Sequence, residues 1–125
     1  ARLLASAARA RADLVVLTGD SHNAWAFDLE QDGAPMGVEF AGHSVSSFGI
    51  DKRFGGDPQL IARAFVERNP NLKWCDTSRR GYVMVDVTPA AVTGEWLFFP
   101  SEAQPSTRLI GTQKMTVERG ARRFA

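Results

Sequence analysis

The run Leu14-Val15-Val16-Leu17, followed without a break by Thr18-Gly19-Asp20-Ser21-His22-Asn23, constrains this chain more than any other feature. Four consecutive apolar residues bounded by polar ones predict a short strand covered on both faces, and such a strand belongs in the middle of a sheet. The polar cluster then lies on the loop leaving the strand's carboxyl end, the edge where α/β sheets keep their functional groups. Asp20 and His22 stand two positions apart, so in an extended segment their side chains leave the backbone on one side and converge on one centre. A carboxylate and an imidazole so placed are candidate metal ligands. A catalytic metal needs several further donors and one open position, so two ligands do not complete a site. The alternative for the bare tetrapeptide is a turn Asp satisfied by backbone amides beside a surface His.

The rest of the chain reads as a mixed α/β arrangement. Arg2 to Ala12 is the end of a helix built from good helix formers, closed by Asp13. Ala24 to Leu29 and Gly37 to Phe40 pair as a hairpin about Gln31-Asp32-Gly33, where the glycine accommodates positive φ. Ala41 to Gly56 is rich in Gly and Ser with few periodic apolar residues, a long irregular loop of the kind that carries function. Asp57-Pro58 starts a helix through Glu67 with Leu60, Ile61, Ala64 and Phe65 on one face, and Asn69-Pro70 stops it. Tyr82 to Val87 and Gly94 to Phe99 form an antiparallel hairpin about Thr88 to Thr93. After a loop from Pro100 to Ser106 comes a last strand, Gln113 to Val117, and a frayed basic end.

Composition excludes several classes. With 44% hydrophobic and 23% charged residues, the 125 residues have the profile of one folded domain that buries roughly two-thirds of its unfolded surface. The net charge is +1, and the arginines are scattered apart from Arg79-Arg80 and the tail from Arg119 to Arg123, so no basic stripe exists to hold a nucleic acid as a stable partner. Cys75 is the single cysteine, which excludes an internal disulfide and a CxxC zinc site. No apolar run approaches the roughly 20 residues that span a bilayer. The chain opens at Ala1 within an Ala/Arg-rich helical pattern, without initiator Met or helix cap, which points to a fragment. Its localisation is therefore not legible.

Four segments in order, VVLTGDSHNAWAFDL, VEFAGHSVSS, NPNLKW and RGYVMVDVTP, resemble the carboxyl-terminal half of the alkaline phosphatase D (PhoD-like) family, over roughly Asp13 to Phe98. The resemblance implies a calcineurin-like metallophosphoesterase, a β-sandwich flanked by helices with a two-metal site at the strand ends. Residues 1–125 would then be the C-terminal part of that domain, the amino-terminal half and its early ligands being absent, and the chain alone would be inactive. In the wider superfamily the last ligand motif is GHxH. Here Asp20 stands at its first position, which fits the PhoD-like pattern, since a hard carboxylate suits calcium and imidazole suits iron or zinc. The resemblance thus makes Asp20 and His22 the metal and catalytic residues of a binuclear or multinuclear centre, an iron-like ion plus calcium, with zinc or manganese as alternatives. The substrate implied is a phosphomonoester or phosphodiester, and the compartment periplasmic or secreted. The rivals are another metallophosphoesterase, such as a nucleotidase or lipid phosphodiesterase, and a non-catalytic β-rich interaction domain. A sheet left uncovered by the absent half would favour self-association.

Other residues carry weaker expectations. Asn23 is the candidate for substrate binding, by donation to phosphate, with loop capping as the alternative. His43 would be a neutral residue of the Gly/Ser loop, and Arg79 and Arg80 a solvated pair, unless one of them clamps a phosphate. Ser44, Ser46 and Ser47 lack the GxSxG context of a nucleophile. Trp25, Trp74, Trp96, Phe98 and Phe99 are packing residues, with Trp25 a candidate shield of the metal pocket, and Cys75 is a spectator.

Overall fold

A computed structural model describes residues 2–100 and 106–125. Two β-sheets pack face to face. The first contains β1 (Leu14–Thr18), β2 (Ala24–Gln31), β3 (Ala34–Ala41) and β4 (Leu72–Asp76) in the spatial order β1-β3-β2-β4, with β1 parallel to β3 and the other pairs antiparallel. The second is a meander of β5 (Arg80–Val87), β6 (Ala91–Phe99) and β7 (Gly111–Glu118). Helices α1 (Arg2–Ala10), α2 (Asp51–Phe54) and α3 (Pro58–Arg68) complete the described structure.

Alternation along the strands builds the core. On β2, Ala24, Ala26 and Asp28 point inward, while Trp25 and Phe27 lie on the opposite face. Ala24, Ala26, Val38 and Phe40 meet Trp96, Phe98 and Val117 of the second sheet. Trp96 is fully buried, tilted against Trp74 at 4.8 Å and Phe40 at 5.8 Å between ring centroids. Its indole Nε1 donates across the sandwich to the Ala41 carbonyl at 2.8 Å, satisfying the one polar atom that burial would otherwise orphan. On the outer face of the first sheet, α3 sets the edge of the Phe65 ring against Trp25, and the Cys75 thiol donates to the Ala62 carbonyl.

Local signals account for several elements. Asp32 and Gly33 both take positive φ, 53° and 77°, the two-residue turn whose twist matches a hairpin. Asp57 caps α3 through its side chain, which accepts from the Gln59 amide, and Pro58 occupies the first turn.

Elsewhere the structure departs from expectation. β1 is an edge strand rather than a central one: β3 is its one partner among the described residues, and Leu17 is 60% exposed. An apolar run reports that a strand is suited to being covered, without saying by what. Strand β4 was not expected, because Leu72 to Asp76 follows a helix stop and lacks a β-branched residue; its pairing with β2 is a tertiary effect. The irregular loop is interrupted by α2, and the turn between β5 and β6 is only residues 88–90. The loop from Pro100 to Ser106 lies largely outside the described residues.

The basic tail is docked, not frayed. Asp13 accepts from the Gly120 amide at 2.8 Å and from Arg122 Nε at 3.0 Å, and Arg122 Nη2 donates to the Arg11 carbonyl. The Arg122 hydrogen bond, with that of the Gly120 amide, holds the Asp13 carboxyl below its usual range. Phe124 is buried edge-on against Phe40, and its amide donates at 2.8 Å to Asp28, a buried carboxylate that also meets Lys73 Nζ at 3.3 Å.

Candidate functional site

Parallel pairing of β1 with β3 brings their carboxyl ends to one edge, where Thr18 faces Ala41. The chain re-enters the sheet there at Ala24, opposite Asp76 at the end of β4. Three connections therefore meet at this edge: residues 19–23, residues 42–50, and residues 77–79 leading to Arg80. This convergence is topological, and it gathers polar residues from distant parts of the sequence around the loop after β1.

Asp20 and His22 are both exposed on that loop. Their φ angles are 67° and 59°, in the left-handed region that residues with a Cβ adopt rarely and at a cost of order 1–3 kcal/mol. The segment is a bent loop, so the expectation that alternation in an extended strand aligns the two side chains does not describe it. His22 is oriented instead by a hydrogen bond of its ring Nδ1 with the Phe48 carbonyl, at 3.3 Å. The Phe48 carbonyl can only accept, so it pairs with Nδ1–H, and in the neutral ring Nε2 then carries the lone pair. Metal-binding histidines use this arrangement. The donors offered, one carboxylate oxygen and one imidazole nitrogen, suit a shared cation centre. Among the described residues no group of three or more His, Cys, Asp or Glu side chains is placed to hold a metal.

Asn23, the expected substrate-binding residue, is 3% exposed. Its Nδ2 donates to the Ser21 carbonyl at 2.5 Å, and its Oδ1 accepts from the Ile50 amide at 2.9 Å, joining the loop after β1 to the loop after β3. Between Phe48 and Ile50 lies Gly49, where a Cβ would stand 2.2 Å from the Thr77 carbonyl oxygen and 2.9 Å from Asn23 Oδ1. Only glycine permits that approach. Trp25 donates from Nε1 to Ser21 Oγ at 2.7 Å, a third support for the same turn.

Of the residues around this frame, Arg79 and Arg80 differ from their expected role. His43 is buried, its ring 5.2 Å from that of Phe98. Burial pushes its pKa below the ordinary 6.5, against the pull of Asp76, so the imidazole is neutral near pH 7. Arg79 and Arg80 are not a solvated pair: Arg79 Nε lies 2.7 Å from Asp76 Oδ2 with its guanidinium 3.6 Å above the Phe98 ring, and Arg80 is 3% exposed with its guanidinium 5.1 Å from the centre of the Phe48 ring. Burial raises the Asp76 pKa, but bonds from the Arg79 and Ser78 amides and the Arg79 side chain outweigh it, and the carboxyl lies below its usual range. Ser44 turns its loop by accepting from the Ser46 and Ser47 amides. Cys75 is buried, which raises its thiol pKa to about 12 and makes it unreactive. The Phe48 carbonyl, a backbone group, has no residue-type signature in the sequence; the glycine after it is the nearest clue.

A mixed α/β sandwich with a carboxylate and an imidazole on the loop leaving a parallel strand defines the architectural class. The chain belongs to the PhoD-like phosphatase family, whose model matches residues 1–96. It is 30% identical over 102 residues to the alkaline phosphatase D of Bacillus subtilis (strain 168), an alignment covering 78% of this chain and 17% of that protein. A solved structure of PhoD superposes with a TM-score of 0.75 at 20% identity, over 99% of this chain and 24% of the solved one, and supports the fold. The chain thus spans about a sixth of the length of the curated relative it matches. Among the described residues no helix is long and apolar enough to cross a membrane.

Proposed function

We propose that the chain contributes Asp20 and His22 to the metal centre of a phosphomonoester or phosphodiester hydrolase, His22 through Nε2 to an iron-like ion and Asp20 through its carboxylate to calcium. The observation that carries this reading is the His22 ring, exposed at the edge where three connections meet and fixed through Nδ1 on the Phe48 carbonyl. Membership in the PhoD-like phosphatase family supports the reaction class. Bound cations in such a centre orient the phosphate, offset its charge and lower the pKa of an attacking water. Within this chain, Asp20 and His22 offer the donors, Phe48 sets the tautomer of His22, and Arg80 lies buried behind the Phe48 ring. Two donors do not hold a binuclear centre, so the chain by itself is inactive on this reading.

The test is metal content by mass spectrometry together with hydrolysis of p-nitrophenyl phosphate and bis-p-nitrophenyl phosphate. It compares the complete protein with its Asp20→Ala and His22→Ala variants. Iron should fall in His22→Ala, calcium in Asp20→Ala, and hydrolysis by orders of magnitude in both. Undiminished metal and activity in both variants would mean that the motif only shapes a turn.

A further inference from the structure

We infer that Asn23 is a positioning residue for His22, acting through the backbone carbonyl that fixes the imidazole; the inference rests on the reading of His22 as a metal ligand. His22 sits between Ser21 and Asn23, and Asn23 ties down this turn by donating to the Ser21 carbonyl. Across from it, Phe48 and Ile50 flank Gly49. The Phe48 carbonyl meets His22 Nδ1, and the Ile50 amide meets Asn23 Oδ1. Two adjacent residues on one loop are therefore cross-linked to two residues, spaced by one glycine, on the other. Asn23 makes the buried half of this staple and His22 the exposed half.

The division of labour follows from exposure. A hydrogen bond between an exposed imidazole and an exposed loop competes with water and holds the ring weakly by itself. The bonds of Asn23 are part-buried, with Asn23 itself 3% exposed, so breaking one leaves a donor or acceptor with little access to water, and they resist opening more than the exposed bond of His22. They fix the loop two residues from the Phe48 carbonyl and hold His22 in its left-handed backbone conformation, which needs surrounding structure to persist. Gly49 lets the loops come close enough, since a Cβ there would collide with Thr77 and with Asn23 itself. An asparagine is suited to this place because it offers a donor and an acceptor at once: aspartate keeps the acceptor for Ile50 but cannot donate to Ser21, and alanine does neither.

The experiment uses the complete protein with Asn23→Ala, Asn23→Asp and His22→Ala. Iron retained against a graded EDTA series is read beside kcat and KM for p-nitrophenyl phosphate, with and without excess iron. Loss of a group that orients a metal ligand weakens metal binding by about 10- to 100-fold. Asn23→Ala should show that loss, with kcat restored by excess iron and KM unchanged, and Asn23→Asp should fall between it and the native protein. Should Asn23→Ala fail to fold, the intermediate loss in Asn23→Asp carries the test. Iron affinity unchanged in the Asn23 variants while His22→Ala loses iron would overturn the staple and leave the ligand reading intact. A raised KM at saturating iron would place Asn23 on the substrate and overturn the inference too. If His22→Ala itself retains iron, the ligand reading fails, and this inference fails with it.

Discussion

The packing of the two sheets over one core can be tested at Trp96, the largest fully buried side chain. Trp96→Ala removes the indole from between Trp74 and Phe40 together with its hydrogen bond to the Ala41 carbonyl. Truncating a buried Trp costs about 3–5 kcal/mol in packing, and the lost hydrogen bond adds about 1 kcal/mol. Against a total stability of about 5–15 kcal/mol, that is at least about a quarter of the whole. Trp96→Phe separates the two contributions, because it keeps most of the aromatic packing and loses the hydrogen bond, at about 1–3 kcal/mol. With a urea m-value of about 1–3 kcal/mol/M, the Trp96→Phe midpoint should fall by on the order of 1 M with m unchanged. The Trp96→Ala midpoint should fall further, by on the order of 2 M. If both variants stay within about 0.5 kcal/mol of the native chain, as surface substitutions do, the sheets do not share the core described here.

Two further perturbations probe the periphery of that core. Phe124→Ala should cost about 3 kcal/mol in the same urea series and speed amide exchange at Gly120, which donates to Asp13; a tail that frays would show neither effect. His43 gives a pH signature. The fold disfavours its protonated form, so the unfolded chain takes up the proton first as pH falls past 6.5. Stability is then full above that value and declines toward the lower folded pKa, by at most about 1.4 kcal/mol per pH unit. Asp13 and Asp76, also held below their usual range, act in the same direction but below their ordinary 3.8, so the windows are separate. His43→Gln should flatten the slope just below pH 6.5, and an unchanged slope would show that another group titrates there.

What was legible in the sequence is what local physics controls. Asp57-Pro58 announces a helix start and Asp32-Gly33 a hairpin turn, because each depends on a few neighbouring residues. The alternation of Gly94, Trp96 and Phe98 marks an inward strand face for the same reason. The strand-then-polar-loop pattern placed Asp20 and His22 at a sheet edge, and that placement holds. Their convergence follows only from an extended backbone, whereas both take left-handed φ, a conformation in which Asp and His are enriched but which residue type alone does not fix. β4, the docked tail and the burial of Arg80 arise from contacts between segments tens of residues apart, such as Phe124 with Asp28, which leave no periodic trace. The support of His22 was hardest to read, since it is the backbone carbonyl of Phe48, and carbonyls are common to every residue.

In the proposed centre His22 presents Nε2 to a metal while Nδ1 rests on a carbonyl. A crystal structure of the complete protein, recorded at the iron absorption edge, addresses it directly. An anomalous peak is expected about 2.0–2.2 Å from His22 Nε2, with the Nδ1 contact to Phe48 retained and the Asp20 carboxylate on the neighbouring ion. A fully metallated centre with His22 turned away from it would show that His22 is not a ligand.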